Sequence, residues 1–303
     1  MRRFSCILIF GVMAVAASLD AQQPQSSLPY KNYSVVTAPK IYLWPKGAPM
    51  ATGDAESDKP RLLVFLPKQQ RSKTGVVVCP GGGYRGLSEP GEGAEIAAWL
   101  NGLGIAAFVL EYRVWPYHHP VELQDAARAM RWVRAHAEQY KIAPDQIGIF
   151  GASAGGHLAA TLSTHFDDGD PKAADPLDRI GDRPDFTVLL YPVIAPVGPA
   201  SEGSFKNLIG DKMDPALVES LSADKQVTAK TPPAFLALAD NDSSVWPESS
   251  IRYYRALHEA GVSAELHIYQ RGSHAFGIGW VDPVSGQWRE SLMIWMQYRG
   301  LLN

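Results

Sequence analysis

Cysteine is almost absent. The 303-residue chain has two, Cys6 and Cys79. Cys6 falls in an N-terminal stretch that reads as a removable signal, so the mature chain would keep one thiol and no internal disulfide. A chain of this size buries roughly three quarters of its extended surface and needs no such staple. Cys79 follows Val76, Val77 and Val78 and is expected to end a buried strand. Long apolar runs are missing too: the one at residues 6–17 has 12 residues, where a membrane span needs about 20. Charge of one sign is also lacking. With 28 Lys and Arg against 31 Asp and Glu, the formal net charge is −3 and no basic run stands out, which argues against a nucleic-acid partner. There is no His-Glu-x-x-His pair. His118 and His119 are adjacent and would not chelate from one helix face, so neither a metal site nor a cofactor is expected.

What the N-terminus does contain is the pattern of an export signal. Arg2 and Arg3 precede the short apolar run, and Ala21 offers a cleavage point. The expected organisation is a signal peptide over 1–21, a polar, proline-bearing leader over 22–40 and one domain over 41–303. The protein would be exported to the periplasm or the medium, with no membrane attachment after cleavage.

From residue 61 onward strands and helices alternate. Residues 61–66, 75–79, 105–112, 147–150, 186–191, 234–239 and 264–269 read as strands. Residues 91–103, 154–164, 249–260 and 287–301 read as helices. Between them, Leu123, Ala127, Met130, Val133, Ala137 and Tyr140 recur at steps of three or four behind Pro120, the signature of an amphipathic helix. The near-continuous apolar strands imply a mostly parallel sheet covered on both faces, and hence a single α/β domain. Residues 166–184 read as a surface loop. Residues 195–231 read as an insertion of short helices above the sheet edge, a candidate cap.

One stretch carries the chemistry. In IGIFGASAGGHLAA, residues 147–160, Ser153 sits in Gly-x-Ser-x-Gly between a strand and a helix. That context puts the serine on a sharp turn at the strand's carboxyl end, with helix amides aimed at the reacting oxygen. A serine hydroxyl needs a base. Of eight histidines, His274 lies in a small-residue loop after the last strand, able to reach the same edge. His118 and His119 read as loop residues, His136 and His258 as helix-surface ones, His157 and His165 as members of the helix after Ser153, and His267 as part of a strand. The acid should follow strand 234–239, where Asp240 and Asp242 both qualify. Asp242 lies further into the loop, whereas Asp240 could simply terminate the strand. The order Ser153, Asp242, His274 is that of the α/β-hydrolases. Pro80-Gly81-Gly82-Gly83 lets the chain double back, and the amides of Gly82, Gly83 and Ala154 are the expected oxyanion donors. Trp246, near Asp242, is a candidate for stacking on a sugar ring.

The stretches CPGGGY, GIAAFVLEYRV, GIFGASAGGHLAA and the run from TPPAFLALADNDSSVWP to YQRGSHAFG resemble the secreted bacterial carbohydrate esterases of the α/β-hydrolase superfamily. That group includes acetyl-xylan and feruloyl esterases, often labelled xylanase-like. The resemblance runs over roughly residues 40–300. It implies an acyl-serine mechanism with Ser153, His274 and Asp242, and a substrate that is an acylated oligosaccharide or polysaccharide, most readily an acetyl ester. The usual Asp-Asp is Asn241-Asp242 here, followed by Val245-Trp246-Pro247. Pro80 stands where a histidine often precedes the glycines, and Gly272-Ser273-His274 replaces Gly-Gly-His. Three other readings stay open: a feruloyl esterase, a peptidase of the prolyl-oligopeptidase kind, which normally carries a large extra N-terminal domain, and a non-catalytic binding protein on a hydrolase fold.

Overall fold

The computed structural model describes residues 38–279 and 282–303. The expected signal and nearly all of the leader lie outside the described residues. Eight strands form one sheet: β1 (Lys40–Tyr42), β2 (Arg61–Phe65), β3 (Gly75–Cys79), β4 (Ala106–Glu111), β5 (Ile147–Ala152), β6 (Thr187–Leu190), β7 (Ala234–Ala239) and β8 (Ala264–Tyr269). Their spatial order is β1-β2-β4-β3-β5-β6-β7-β8. β2 runs antiparallel to both its neighbours and the remaining pairs are parallel. This is the α/β domain that the alternation implied and the α/β-hydrolase fold that the resemblance implied. β1 is too short and too exposed to show in the hydrophobic pattern.

Alternation along each central strand divides the interior into two cores. On one face Val77, Ile149, Leu189 and Leu236 pack against α2 (Val121–Ala135), α3 (Ser153–His165) and α6 (Glu248–Glu259) through Met130, Leu158 and Leu257. On the other, Val76, Val78, Phe150, Val188 and Phe235 pack against α1 (Glu95–Gly102) and α7 (Trp288–Tyr298) through Ile96, Trp99, Trp288 and Leu292. With both faces covered, the sheet offers ligands only its edges, and the carboxyl ends of parallel strands are where such sites form.

Three features shape that edge. The helix expected over 91–103 is a π-helical turn over Pro90–Ala94 followed by α1, so it begins with a wider turn than a regular helix would make. The 195–231 insertion folds as α4 (Pro199–Ile209) and α5 (Pro215–Leu221) with a 3-10 turn at Ala223–Lys225, and reaches the glycine loop after β3, where Asn207 Nδ2 donates to the Gly83 carbonyl at 2.8 Å. The exit of β4 is fixed by Arg113, whose fully buried guanidinium reaches Asp125 of α2 at 2.6 Å. The 166–184 loop is pinned rather than free: Arg128 and Arg131 of α2 pair with Asp175, Asp167 and Asp182 within it.

Candidate active site

β5 delivers Ser153 to the sheet edge at the first position of α3. The turn is tight enough to force the serine to φ +52°, a left-handed conformation that costs a non-glycine residue energy. The flanking glycines show why the chain accepts it. A Cβ on Gly151 would lie 2.2 Å from the Gly155 carbonyl oxygen, and one on Gly155 would lie 2.0 Å from that of Cys79. Neither position has room for a methyl group. The motif is therefore a packing requirement that leaves one side chain projecting from the strand end.

The projecting hydroxyl meets a base. Ser153 Oγ lies 2.9 Å from His274 Nε2, and His274 Nδ1 lies 2.7 Å from Asp242 Oδ2. Asp242 is buried, and its other oxygen, Oδ1, accepts the amides of Ser244 and Val245, each at 2.9 Å. Those two donors hold the carboxylate in place and leave Oδ2 for the imidazole, whose Nδ1 then carries the proton and whose Nε2 is free to accept one from serine. Asp240 is exposed, and its amide only closes the strand onto the Tyr269 carbonyl. The loop bearing His274 is anchored by the Ser273 amide, which donates to Asn241 Oδ1 at 2.9 Å. Asn241 thus has a use of its own in this sequence.

The glycine loop after β3 lies across the same edge. Gly82 and Gly83 have φ of +128° and +64°. A Cβ on Gly82 would lie 2.2 Å from the Gly86 carbonyl oxygen, so this turn closes only with glycine. The Gly82 carbonyl accepts from Arg85 and Gly86, while the Gly81 amide is taken by Glu92 Oε2 at 2.9 Å. Among the described residues the amides of Gly82 and Gly83 have no acceptor. Ala154, the second residue of α3, contributes a first-turn amide of the kind that helices leave without an internal partner.

A strand-end serine, an imidazole, a buried carboxylate and nearby spare amides make a serine-hydrolase constellation. Comparison with known proteins agrees with it. Residues 62–257 match the family model described as BD-FAE. The chain belongs to that family. It is 32% identical to the acetylxylan esterase of Xylanibacter ruminicola over 248 residues, covering 80% of this chain and 49% of that protein. It is 33% identical to endo-1,4-beta-xylanase B of Butyrivibrio fibrisolvens, covering 75% of this chain and 36% of that one. The chain thus spans half or less of the length of these curated relatives. Among solved structures, the acetyl ester-xyloside bifunctional hydrolase from Caldicellulosiruptor lactoaceticus superposes with a TM-score of 0.83 at 40% identity, over 88% of this chain and 98% of that one.

In this BD-FAE member, two buried residues near the site escape a sequence reading. His157 falls on α3 one turn beyond Ser153 and reads as ordinary helix. In the fold its Nε2 donates to the Leu221 carbonyl at 2.8 Å, so its Nδ1 accepts from the Tyr84 hydroxyl at 2.7 Å. The chain Tyr84–His157–Leu221 ties the glycine loop to the nucleophile helix and to the 195–231 insertion. Burial pushes the His157 imidazole down to about 4, so it is neutral at pH 7. Because the ordinary value is near 6.5, stability is full above pH 6.5 and is lost as pH falls toward 4, where the unfolded chain binds the proton first. Replacing His157 by Gln should therefore reduce the stability lost between pH 7 and pH 4.5 by about 2–3 kcal/mol. Urea midpoints at the two pH values, compared with wild type, check this.

The other residue is Glu92, in the π-helical turn. An acidic residue at the start of a helix looks like a partner for the helix dipole, and nothing local separates it from that role. Trp246 stands half-exposed, its ring over Gly198 at the start of the insertion. Cys79 ends β3 fully buried, its thiol pushed well up by burial. No described group of three or more ligand-type side chains is placed to hold a metal ion. No described helix is long and apolar enough to cross a membrane.

Proposed function

We propose that the chain is a serine-type ester hydrolase acting on short acyl esters, acetyl above all, carried by plant cell-wall carbohydrate. The observation that carries this is the unbroken path from Asp242 through His274 to Ser153, beside two glycine amides with no acceptor among the described residues. His274 Nε2 takes the Ser153 proton as Oγ attacks the ester carbonyl carbon. The carbonyl oxygen becomes an oxyanion held by the amides of Gly82, Gly83 and Ala154. One such donor is typically worth about 3 kcal/mol of the barrier. The imidazolium returns the proton to the departing alcohol oxygen, leaving an acyl-serine. Water then attacks the acyl-serine and gives a proton to His274, which passes it to Ser153 Oγ as the C–O bond breaks; free serine results, with a carboxylic acid that loses its remaining proton to solvent.

The Xylanibacter relative is an acetylxylan esterase, and the Caldicellulosiruptor protein is an acetyl ester-xyloside bifunctional hydrolase. Both support an acylated xylan fragment as substrate. The export signal over 1–21 and the division of the chain into leader and catalytic domain belong to the same proposal, since a polymeric substrate has to be met outside the cytoplasm. Trp246, half-exposed near Asp242, would stack on a sugar ring. Acetate release from acetylated xylo-oligosaccharides should exceed both ferulate release from feruloylated ones and cleavage of aminoacyl-proline amides, each by at least about tenfold in kcat/KM. Preferential amide cleavage would favour the peptidase reading. Turnover of none of the three would refute the esterase assignment.

A further inference from the structure

Glu92 is a buried carboxyl that the triad does not use, and its surroundings are built around it. Its Oε2 accepts the Gly81 amide at 2.9 Å, at the root of the glycine loop. The Tyr191 hydroxyl beside it favours its charged form and itself accepts the Gly277 amide at 3.1 Å, three residues past His274. The Tyr191 ring meets the His274 ring edge-on at a centroid distance of 5.1 Å. Gly81 shows how closely carboxylate and nucleophile crowd together. A Cβ there would lie 2.6 Å from Glu92 Oε2 and 2.8 Å from Ser153 Cβ. The π-helical turn over Pro90–Ala94 puts the side chain at this point, and such turns recur at functional sites. One carboxylate thus ties the oxyanion loop to the loop carrying the base.

We propose that Glu92 is a positioning residue for the reaction: through Gly81 and Tyr191 it fixes the oxyanion loop against the His274 loop, and its negative charge supports the imidazolium that forms during proton transfer. This rests on the serine-hydrolase reading above. The charged and titratable groups around it are His274 from the base loop, Tyr191 after β6, Tyr112 after β4, and Glu89 and Glu95 from its own segment. Burial raises the Glu92 carboxyl above the ordinary glutamate range, opposed by the bonds from Tyr191 and Gly81 and by the imidazole.

Glu92→Gln keeps the size and removes the charge. It should lower kcat on an aryl acetate by about 10- to 100-fold with KM changed less than about threefold. With the neighbouring negative charge gone, imidazolium forms less readily, so the acid limb of kcat/KM should move to lower pH by roughly half a unit or more. Tyr191→Phe cuts the tie to Gly277 but leaves the charge. It should lower kcat by about 3- to 30-fold without moving that limb to lower pH. Glu92→Asp should recover part of the activity lost in Glu92→Gln. An unmoved acid limb in Glu92→Gln would overturn the proposal, whatever happens to kcat. If that variant does not fold, unchanged kcat in Tyr191→Phe would do so. The triad reading is judged separately: activity surviving in Ser153→Ala would remove it whatever the Glu92 variants do.

Discussion

Replacing Ser153 by alanine should lower kcat for acetate release by about 10⁵- to 10⁶-fold, while thermal unfolding stays within a few degrees of wild type. The size follows from chemistry. Without Oγ there is no nucleophile for His274 to activate, and what remains is whatever the amides and bound water achieve alone. The small stability effect follows from packing. The tight contacts at this turn belong to Gly151 and Gly155, against the carbonyls of Gly155 and Cys79, and alanine at 153 disturbs neither. The hydrogen bond from Ser153 to His274 is lost, worth about 1 kcal/mol net. Steady-state kinetics and a melting curve on the same preparation check both halves.

The second large effect is at Asp242. Asp242→Asn should reduce kcat by about 10⁴-fold. Asp242 Oδ1 accepts two backbone amides, so the carbonyl oxygen of an asparagine has to take that place. Its NH₂ then faces His274 Nδ1, which must accept rather than donate. The ring is driven into the tautomer protonated at Nε2, the one that cannot take a proton from Ser153. The reverse orientation would set the NH₂ against two N–H donors. Asp240→Asn, two residues away at an exposed position, should keep kcat within about threefold of wild type. Kinetics of this pair separate the two carboxylates that the sequence offers side by side.

Local pattern singles out the proposed catalytic residues because their constraints are local. Ser153 needs a strand, two glycines and a helix within a few residues, and all are contiguous. His274 and Asp242 each follow a recognisable strand, and the parallel order brings both strand ends to one edge. In the sequence, depth in the loop is all that favours Asp242 over Asp240, and the fold adds a physical reason: only Asp242 turns inward onto the amides of Ser244 and Val245. What stays hidden depends on contacts between distant segments. Glu92 lies beside Tyr191, which follows β6, three strands further along the chain. His157 meets Tyr84 and Leu221 from opposite directions, 73 and 64 residues away. Periodicity reports which face of a helix is buried but not what a buried polar group bonds. The π-helical turn reads as ordinary helix for the same reason, since one extra residue in a turn barely disturbs an apolar pattern.

The central claim is that acyl transfer passes through Ser153, and covalent trapping tests it most directly. An active-site phosphonate should add one label per chain, on the peptide carrying Ser153, with loss of activity in proportion to labelling and no label on Ser153→Ala. Full labelling of a different residue, or full inactivation with Ser153 unmodified, would contradict it.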